Sequence, residues 1–287
     1  MNIIITGSLG NISKPLATQL IANGHRITII SSKPDKQQAI EKLGAKAAIG
    51  RLEDASFLTS TFTGADAVYC MIPFDLSATD QKAYFQKIAT NYVQAINETG
   101  VRKVVLLTGW AAGLTGSFEA TQLADQLSHL AFTELRPSVF YSNFYGYIPM
   151  IKQQGAIVGN YGGNDRIAVV APEDIAAAAA EELTDSSNGN RVRYVASEEL
   201  TCNEVAGILG EAIGRPDLQW VIISDEALRN GLLQMGMPAQ LADELVKMQA
   251  AMHSGVVYEN YLRHRPVLGK TKLRGFAKDF AKAYYQQ

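Results

Sequence analysis

The chain has 287 residues, of which 47% are hydrophobic and 19% are charged, and this composition is typical of a globular protein with a sizeable core. The formal net charge is -2, so no overall basic character favours nucleic acid or an acidic membrane surface as a partner. Cys70 and Cys202 form neither a metal-binding pair nor a disulfide framework, which favours a reducing, cytoplasmic location. No signal peptide and no long apolar span is present, so we expect neither export nor membrane insertion.

Short β-branched runs alternate with amphipathic stretches up to about residue 136, a pattern that predicts a parallel sheet with crossover helices. The predicted strands are Ile3–Thr6, Arg26–Ser31, Ala45–Ile49, Ala67–Cys70, Lys103–Thr108 and Phe132–Leu135. The predicted helices lie near residues 14–23, 35–43, 54–61, 78–99 and 117–128. Such a doubly wound α/β sheet, a Rossmann fold, binds ligands at the carboxyl ends of its strands.

The second half of the chain has a different pattern. After Pro137 come turn-rich segments, an alanine-rich helix that begins at Pro172, and further helices from about residue 202. The change predicts a nucleotide-binding Rossmann domain over residues 1–140 and a smaller, mostly helical substrate lobe over residues 141–287. Elements near residues 165–185 are expected to return to the first domain.

A glycine turn, TGSLGNIS at residues 6–13, directly follows the first predicted strand. Gly7 permits a tight turn, Gly10 lets the backbone approach a pyrophosphate, and the next helix offers free N–H groups to phosphates. Ser13 stands where a dinucleotide-binding turn usually has its third glycine, and serine is small enough to keep the site. Strand, glycine turn and helix in this order predict a dinucleotide cofactor.

The tip of the second strand bears on the choice of cofactor. Ser31 is followed by Ser32, Lys33 and Lys36, and no acid stands at the tip to bind a ribose 2′-hydroxyl. Hydroxyl and ammonium groups favour a 2′-phosphate, so we expect NADP(H), with NAD(H) as the less favoured cofactor. The alternative is that these lysines only solvate the start of a helix.

Several motifs carry a resemblance to a known family. They are TGSLGNIS, SKPDK, GAKAAIGRLED, DAVYCMIP, VRKVVLLTGW and FTELRPSVFYSNF, with a looser match through APEDIA. The chain resembles the NmrA-like branch of the atypical short-chain dehydrogenase/reductase family. The resemblance implies that the pyrophosphate is faced by Gly7, Ser8, Gly10, Asn11 and Ile12, the adenosine ribose by Ser32 and Lys33, and the path to the nicotinamide by Met71, Ile72, Pro73 and Thr108. The candidate cofactor residues also include Thr6, Ser31 and Lys36.

That family contains NAD(P)H-dependent reductases of quinones and dyes, and also regulators that sense the cofactor without catalysis. Many short-chain dehydrogenases carry a Tyr-x-x-x-Lys pair, but none of the twelve tyrosines here has lysine four residues later. The segment SFEATQLADQL also lacks a lysine that some NmrA-like reductases have, and Gln122 or Asp125 stands near the acidic position that others use. Fold alone therefore leaves the function open.

Hydride transfer needs little from a protein beyond positioning, so few residues are predicted to act directly. Thr108 ends the fifth strand, and we take it as the candidate catalytic hydroxyl. Five aromatics between residues 140 and 147 suggest a flat apolar substrate, with core packing of the second lobe as the alternative. The candidate substrate contacts are Trp110, Phe140, Tyr141, Asn143 and Phe144.

The leading hypothesis is an NADPH-dependent reductase of a small aromatic or conjugated acceptor. The alternative is a non-catalytic NADP(H) redox sensor that reports to a protein partner. The four histidines have no metal-ligand spacing, so no metal site is predicted. The substrate, the proton donor and the oligomeric state stay open.

Overall fold

The computed structural model describes residues 1–75, 80–110, 112, 123–187 and 189–286. The described strands are β1 (Asn2–Ile5), β2 (Arg26–Ser31), β3 (Lys46–Ile49), β4 (Ala67–Cys70), β5 (Lys103–Leu107), β6 (Ala131–Pro137), β7 (Val139–Phe140), β8 (Ile157–Gly159), β9 (Arg166–Val170), β10 (Arg191–Val195), β11 (Glu198–Thr201) and β12 (Trp220–Ile222).

The described α-helices have these bounds: α1 (Ser13–Ala22), α2 (Gln37–Lys42), α3 (Ala55–Phe62), α4 (Gln81–Thr99), α5 (Ile148–Gln154), α6 (Pro172–Thr184), α7 (Cys202–Ala212), α8 (Asp225–Gln234), α9 (Ala239–His253), α10 (Glu259–Arg263) and α11 (Leu273–Gln286). Short 3-10 helices cover Pro34–Lys36, Tyr141–Tyr147 and Val256–Tyr258. In the part of the chain that is described, no helix is both long enough and apolar enough to span a membrane.

The chain divides into two compact units. Unit 1 comprises Met1–Pro137 and Pro172–Val195, and unit 2 comprises Ser138–Ala171 and Ala196–Gln287. The assignment of a nucleotide-binding role to one and a substrate role to the other stays a prediction.

Unit 1 is built on a seven-stranded sheet in the order β10-β6-β5-β4-β1-β2-β3, and all of its strand pairs are parallel. The Rossmann-type doubly wound fold is therefore confirmed, and the six predicted strands match β1 to β6 closely. Helices α3 and α4 cover one face of the sheet, where Phe62 and Tyr92 stack with ring centroids 6.3 Å apart. Asp80 caps α4 by accepting from the Ala83 amide, and Gly100 ends it at a φ of 71°.

Two predicted helices of unit 1 differ in detail. The stretch predicted near residues 35–43 begins with a 3-10 turn at Pro34–Lys36 and becomes α-helical only in α2. Of the helix predicted near residues 117–128, the first six residues lie outside the described residues, and residues 123–126 are helical.

The seventh strand, β10, was not predicted from the sequence. It pairs with β6 along its whole length, from Arg191 opposite Thr133 to Val195 opposite Pro137. Residues 138–171, which separate β6 from α6 in the chain, belong to unit 2. The buried alanine face of α6 contacts α1, β4 and β5, as expected for a helix that packs closely on the sheet.

Unit 2 contains mainly helices together with a three-stranded sheet, β11-β9-β7, and a two-stranded sheet, β12-β8. These strands have two to five residues each, too few for an alternating pattern to identify them in the sequence. An aromatic cluster that includes Phe144, Tyr147 and Trp220 fills part of its core.

Candidate functional site

The glycine turn joins β1 to α1 through an unusual backbone. Gly7 has a φ of +88°, and a Cβ built on it would lie 2.6 Å from the Ser13 Oγ, so only glycine fits there. Ser8 also has a positive φ, 56°, which is uncommon for a residue with a side chain. The Gly10 amide donates to the Gly7 carbonyl over 3.1 Å and closes the turn.

Ser13 occupies the third position of the turn and is buried. Its Oγ donates to the Thr6 carbonyl over 2.8 Å, which ties the first turn of α1 to the end of β1. A glycine at this position usually lets the helix and the strand approach each other closely. Here the hydrogen bond from the Ser13 hydroxyl holds α1 against β1 instead.

The N-terminus of α1 offers backbone donors beside the turn. Ile12 is its N-cap residue, and no side chain caps the helix. Among the described residues, the amides of Asn11 and Ile12 have no backbone acceptor, whereas the Lys14 amide donates to the Gly10 carbonyl. Free amides at the positive end of a helix dipole fit the phosphates of a dinucleotide.

The tip of β2 lies beside the turn. The Ser8 Oγ donates to the Ser31 Oγ over 2.9 Å, and the Lys33 amide donates to the same Ser31 oxygen over 3.2 Å. Ser32 and Lys33 are exposed, and the described residues provide no acidic partner for the Lys33 ammonium. The Lys36 ammonium instead lies 4.0 Å from Asp35.

A cleft of about 500 Å³ brings these elements together. The predicted residues that line it are Gly7, Ser8, Ser31, Ser32, Lys33, Met71 and Pro73. Gly10, Asn11, Ile12, Lys36 and Ile72 are not among its lining residues, and Ile72 packs against the core of unit 1.

The end of β3 forms a wall of the cleft that the residue-by-residue prediction missed. Gly50 donates its amide to the Ser31 carbonyl, and a Cβ on it would lie 2.5 Å from the Phe57 ring. Arg51 and Glu53 follow it and form an ion pair of 2.8 Å. Ligands bind at the carboxyl ends of parallel strands, so the fold class pointed to this position. These residues occur in the motif GAKAAIGRLED, but they were not predicted as site residues.

The side chain of Thr6 is fully buried and does not line the cleft. Its Oγ1 accepts from the Met71 amide over 2.9 Å, and the Tyr92 hydroxyl donates to the Met71 carbonyl over 2.9 Å. These bonds hold the end of β4 against the end of β1. Thr6 therefore positions Met71 instead of facing the cleft.

Thr108 directly follows β5 and belongs to a polar cluster at the end of the sheet. Its Oγ1 donates to the Glu134 carboxylate over 2.8 Å. Arg136 donates to both oxygens of Glu134, each over 2.9 Å, and to the Tyr194 hydroxyl over 3.2 Å. Burial alone would lower the pKa of Arg136, but its bonds to Glu134 and Tyr194 outweigh burial and raise that pKa. The guanidinium is therefore charged and pairs with the Glu134 side chain.

The predicted substrate residues are divided between the units. In unit 1, the Trp110 amide donates to the Pro137 carbonyl over 3.1 Å. In unit 2, Tyr141 and Phe144 are buried, and the Tyr141 hydroxyl lies 3.0 Å from both the Glu198 carboxylate and the Thr271 carbonyl. Phe140 is partly exposed and Asn143 is exposed. Gln122, singled out near the family's acidic position, lies outside the described residues, whereas Asp125 is exposed.

Comparison with known proteins gives the family. Residues 7–186 match the NAD(P)H-binding family. The NAD(P)H azoreductase of Xenophilus azovorans is 25% identical over 255 residues, which cover 86% of each chain.

Two solved structures share the fold. The NADPH-dependent quinone oxidoreductase of Escherichia coli has a TM-score of 0.78 and 21% identity, with 96% of this chain and 99% of that one covered. The triphenylmethane reductase of Citrobacter sp., solved with NADP(H), has a TM-score of 0.78 and 19% identity, with 98% and 100% covered. The match over residues 7–186, which contain the glycine turn, the cleft and Thr108, shows that the chain belongs to the NAD(P)H-binding family of Rossmann-fold proteins.

Proposed function

We propose that the protein is an NADPH-dependent reductase of a small conjugated acceptor, such as a quinone or a dye. The observation that carries the proposal is the cleft in which the glycine turn meets the acid-free, cationic tip of β2. The acceptor class is supported by the azoreductase, the quinone oxidoreductase and the triphenylmethane reductase to which the chain is similar.

The cofactor would be held mainly by backbone and small side chains of unit 1. The amides of Asn11 and Ile12 bind the pyrophosphate at the start of α1, and Gly10 keeps its path free of a side chain. Ser31 fixes the tip of β2, while Ser32 and Lys33 bind the 2′-phosphate, with Lys36 near them in sequence. Thr6, Ile72 and Pro73 shape the end of β4 on which Met71 lies.

Thr108 has a specific role in this proposal. Its hydroxyl hydrogen is directed to the Glu134 side chain, which Arg136 also contacts, so the hydroxyl faces a ligand only as an acceptor. Thr108 therefore orients an N–H or O–H group of the bound reactants and does not donate the proton of the reaction. Glu134 and Arg136 are positioning residues that act through it.

The nicotinamide cofactor supplies the hydride when it is bound. A quinone or dye reduced in this way takes its proton from water, so the reaction needs no acidic side chain at the site. Trp110 in unit 1, and Phe140 and Asn143 in unit 2, each keep exposed surface and are separate candidates for contact with a flat acceptor. The buried Tyr141 and Phe144 support that surface by packing.

The test combines binding with turnover. Titration calorimetry measures NADPH and NADH binding, and absorbance at the nicotinamide band measures NADPH oxidation with quinones, azo dyes and triphenylmethane dyes. We expect NADPH to bind and at least one conjugated acceptor to be reduced above the background rate.

Two other outcomes contradict the proposal in different ways. Tight NADPH binding without turnover of any acceptor supports a non-catalytic redox sensor, the alternative that the missing Tyr-x-x-x-Lys pair leaves open. If neither NADPH nor NADH binds, the proposed cofactor site is wrong. A Gly10→Val variant is the control for the location of binding, because a Cβ at this position would lie 3.0 Å from the Gly7 carbonyl oxygen and disturb the turn.

A further inference from the structure

Unit 2 contains a cavity of about 240 Å³, formed from the start of β9, the strand β11 and the segment that follows α9. Its polar walls are made by Asp165, Arg166, Glu199, His253, Tyr258 and Tyr261. All of its lining residues belong to unit 2, and all residues that line the cofactor cleft belong to unit 1. The cavity and the proposed cofactor site therefore have no lining residue in common.

The two carboxylates of the cavity already have partners. Asp165 accepts from the Gly162 amide over 2.9 Å and lies 2.7 Å from the His253 Nδ1. Glu199 accepts from the Tyr261 hydroxyl over 2.8 Å and from the Arg265 Nε over 2.7 Å. Both contacts of Asp165 are made by Oδ2, whereas Glu199 is paired with the Arg265 guanidinium.

The pKa of Glu199 follows from the same contacts. Burial alone would raise it, since only 9% of the side chain is exposed, but the bonds from Arg265 and Tyr261 outweigh burial and lower it. The carboxylate is therefore ionised and paired at neutral pH. Glu199 accepts hydrogen bonds from Tyr261 and Arg265, so we do not assign it a contact with a ligand.

One donor, by contrast, remains available. Within the described ranges, the Arg166 guanidinium has no ion pair and donates no hydrogen bond, although Arg166 lines the cavity. A guanidinium without a partner needs an acceptor, and an anionic oxygen supplies one.

The remaining surface favours an aromatic ring. Tyr258 and Tyr261 stand edge to face with ring centroids 6.1 Å apart, and Ile167, Met252 and Leu262 add apolar contacts. A cavity of about 150 Å³ is enough to hold benzene, so the space here accommodates one ring with a small substituent. Guanidinium pairs with carboxylate in a planar, bidentate geometry.

We propose that this cavity is a binding site for a small aromatic carboxylate, whose carboxylate pairs with Arg166 and whose ring packs against Tyr258, Tyr261 and Met252. The proposal is independent of the reductase activity. It assigns to unit 2 a ligand that is neither the cofactor nor its acceptor.

Benzoate is the probe, and benzamide is its neutral counterpart of the same shape. Full-length protein labelled with ¹³C in its methionine methyl groups reports both sites, since Met252 lines the cavity and Met71 lines the cofactor cleft. Met252→Leu and Met71→Leu assign the two signals. We expect benzoate to shift the Met252 signal and to leave the Met71 signal in place.

The charge contact is tested by Arg166→Gln, with Arg263→Gln as the matched control, because Arg263 is also exposed but pairs with Glu259. Loss of a charge-assisted pair weakens benzoate binding about tenfold in Arg166→Gln, and the control variant binds as the parent protein does. Benzamide should bind at least about tenfold more weakly than benzoate for the same reason.

Four results overturn the proposal: no shift of Met252 with millimolar benzoate, a shift at Met71 in its place, equal binding of benzoate and benzamide, or equal affinity in Arg166→Gln and the parent. Inorganic phosphate is the last probe. If phosphate binds as tightly as benzoate, the proposed packing of an aromatic ring in the cavity is wrong. Circular dichroism confirms that each variant is folded before its affinity is compared.

Discussion

Unit 1 contains two polar clusters built from the same parts, a buried glutamate that accepts from a threonine and from arginine. Glu134 accepts from Thr108 over 2.8 Å and from Arg136, and 6% of its side chain is exposed. Glu182 accepts from Thr133 over 2.9 Å, from Arg191 over 2.6 Å and from Arg193 over 2.9 Å, and 5% of its side chain is exposed.

The two clusters differ in their place in the fold. Glu134 lies on β6, and its threonine directly follows the carboxyl end of β5, where parallel sheets bind ligands. Glu182 lies on α6 and joins that helix to β6 and β10, far along the chain from any predicted site residue. A buried carboxylate with arginine partners is therefore no sign of function in itself. Its position on the sheet makes the difference.

The largest expected effect is on folding, in Glu182→Ala. Removing the carboxylate leaves Arg191 and Arg193 without their buried partner, and we expect a loss of about 3 kcal/mol in the free energy of unfolding, after allowance for the partly exposed arginines. Urea denaturation measures the loss. NADPH affinity and the kcat of the remaining folded enzyme should stay as in the parent.

The pH dependence of that loss has a definite sign. Burial alone would raise the pKa of Glu182, but its bonds to Arg193, Arg191 and Thr133 outweigh burial and lower it. A carboxylate with a lowered pKa stabilises the folded state at pH above its unfolded pKa, and this contribution disappears as pH falls through the folded value. The gap between parent and Glu182→Ala should therefore narrow in acid, and a gap that widens there contradicts this interpretation.

Glu134→Gln should instead affect catalysis. The amide keeps the shape of the side chain but no longer holds the Thr108 hydroxyl as a charged acceptor, so orientation of the reactants suffers. We expect kcat/KM for NADPH-dependent reduction to fall about 10- to 100-fold, the range that small misplacements produce. If kcat/KM stays within about twofold of the parent, both clusters are structural and the comparison fails.

Lys33→Asp tests the tip of β2, which has a cation without an acidic partner among the described residues. Replacing that charge should weaken NADPH binding about tenfold, because the contact is exposed and partly screened, and should leave NADH binding nearly unchanged. Calorimetry with both nucleotides measures the difference. Lys42→Asp, at the end of α2 and outside the cleft, is the matched control. If Lys33→Asp weakens both nucleotides equally, or neither of them, Lys33 belongs to the solvated helix start and not to a 2′-phosphate site.

The smallest effects belong to a pair of threonines. Thr108→Val and Thr133→Val each remove one hydroxyl that donates to a buried carboxylate, so both should lose about 1 kcal/mol of stability. Only Thr108→Val should also lower kcat/KM. Steady-state kinetics on the two variants separates them, and an equal loss of activity in both would show that it follows from stability alone.

Much of unit 1 was predictable because its signals are local. The β-branched runs gave β1 to β6 to within a few residues, and the glycine turn lies where strand and helix patterns meet. The strand β10 was missed although its sequence RVRYV alternates, since residues 138–171 separate it from the preceding strand of the sheet and belong to unit 2. Gly50 and Arg51 line the cleft but were likewise not singled out as site residues, because the motif GAKAAIGRLED that contains them supported only the family resemblance and no role in binding.

By itself the sequence determined the α/β alternation, the turn at Gly7 and Gly10, and the cationic tip at Lys33, because sterics and periodicity act over a few residues. Only the tertiary structure decided which charges meet. Thr108 and Glu134 are 26 residues apart, and Asp165 and His253 are 88 residues apart. Such pairs form because sheet pairing and core packing bring distant segments together, and no local pattern encodes which side chains then come within hydrogen-bonding distance.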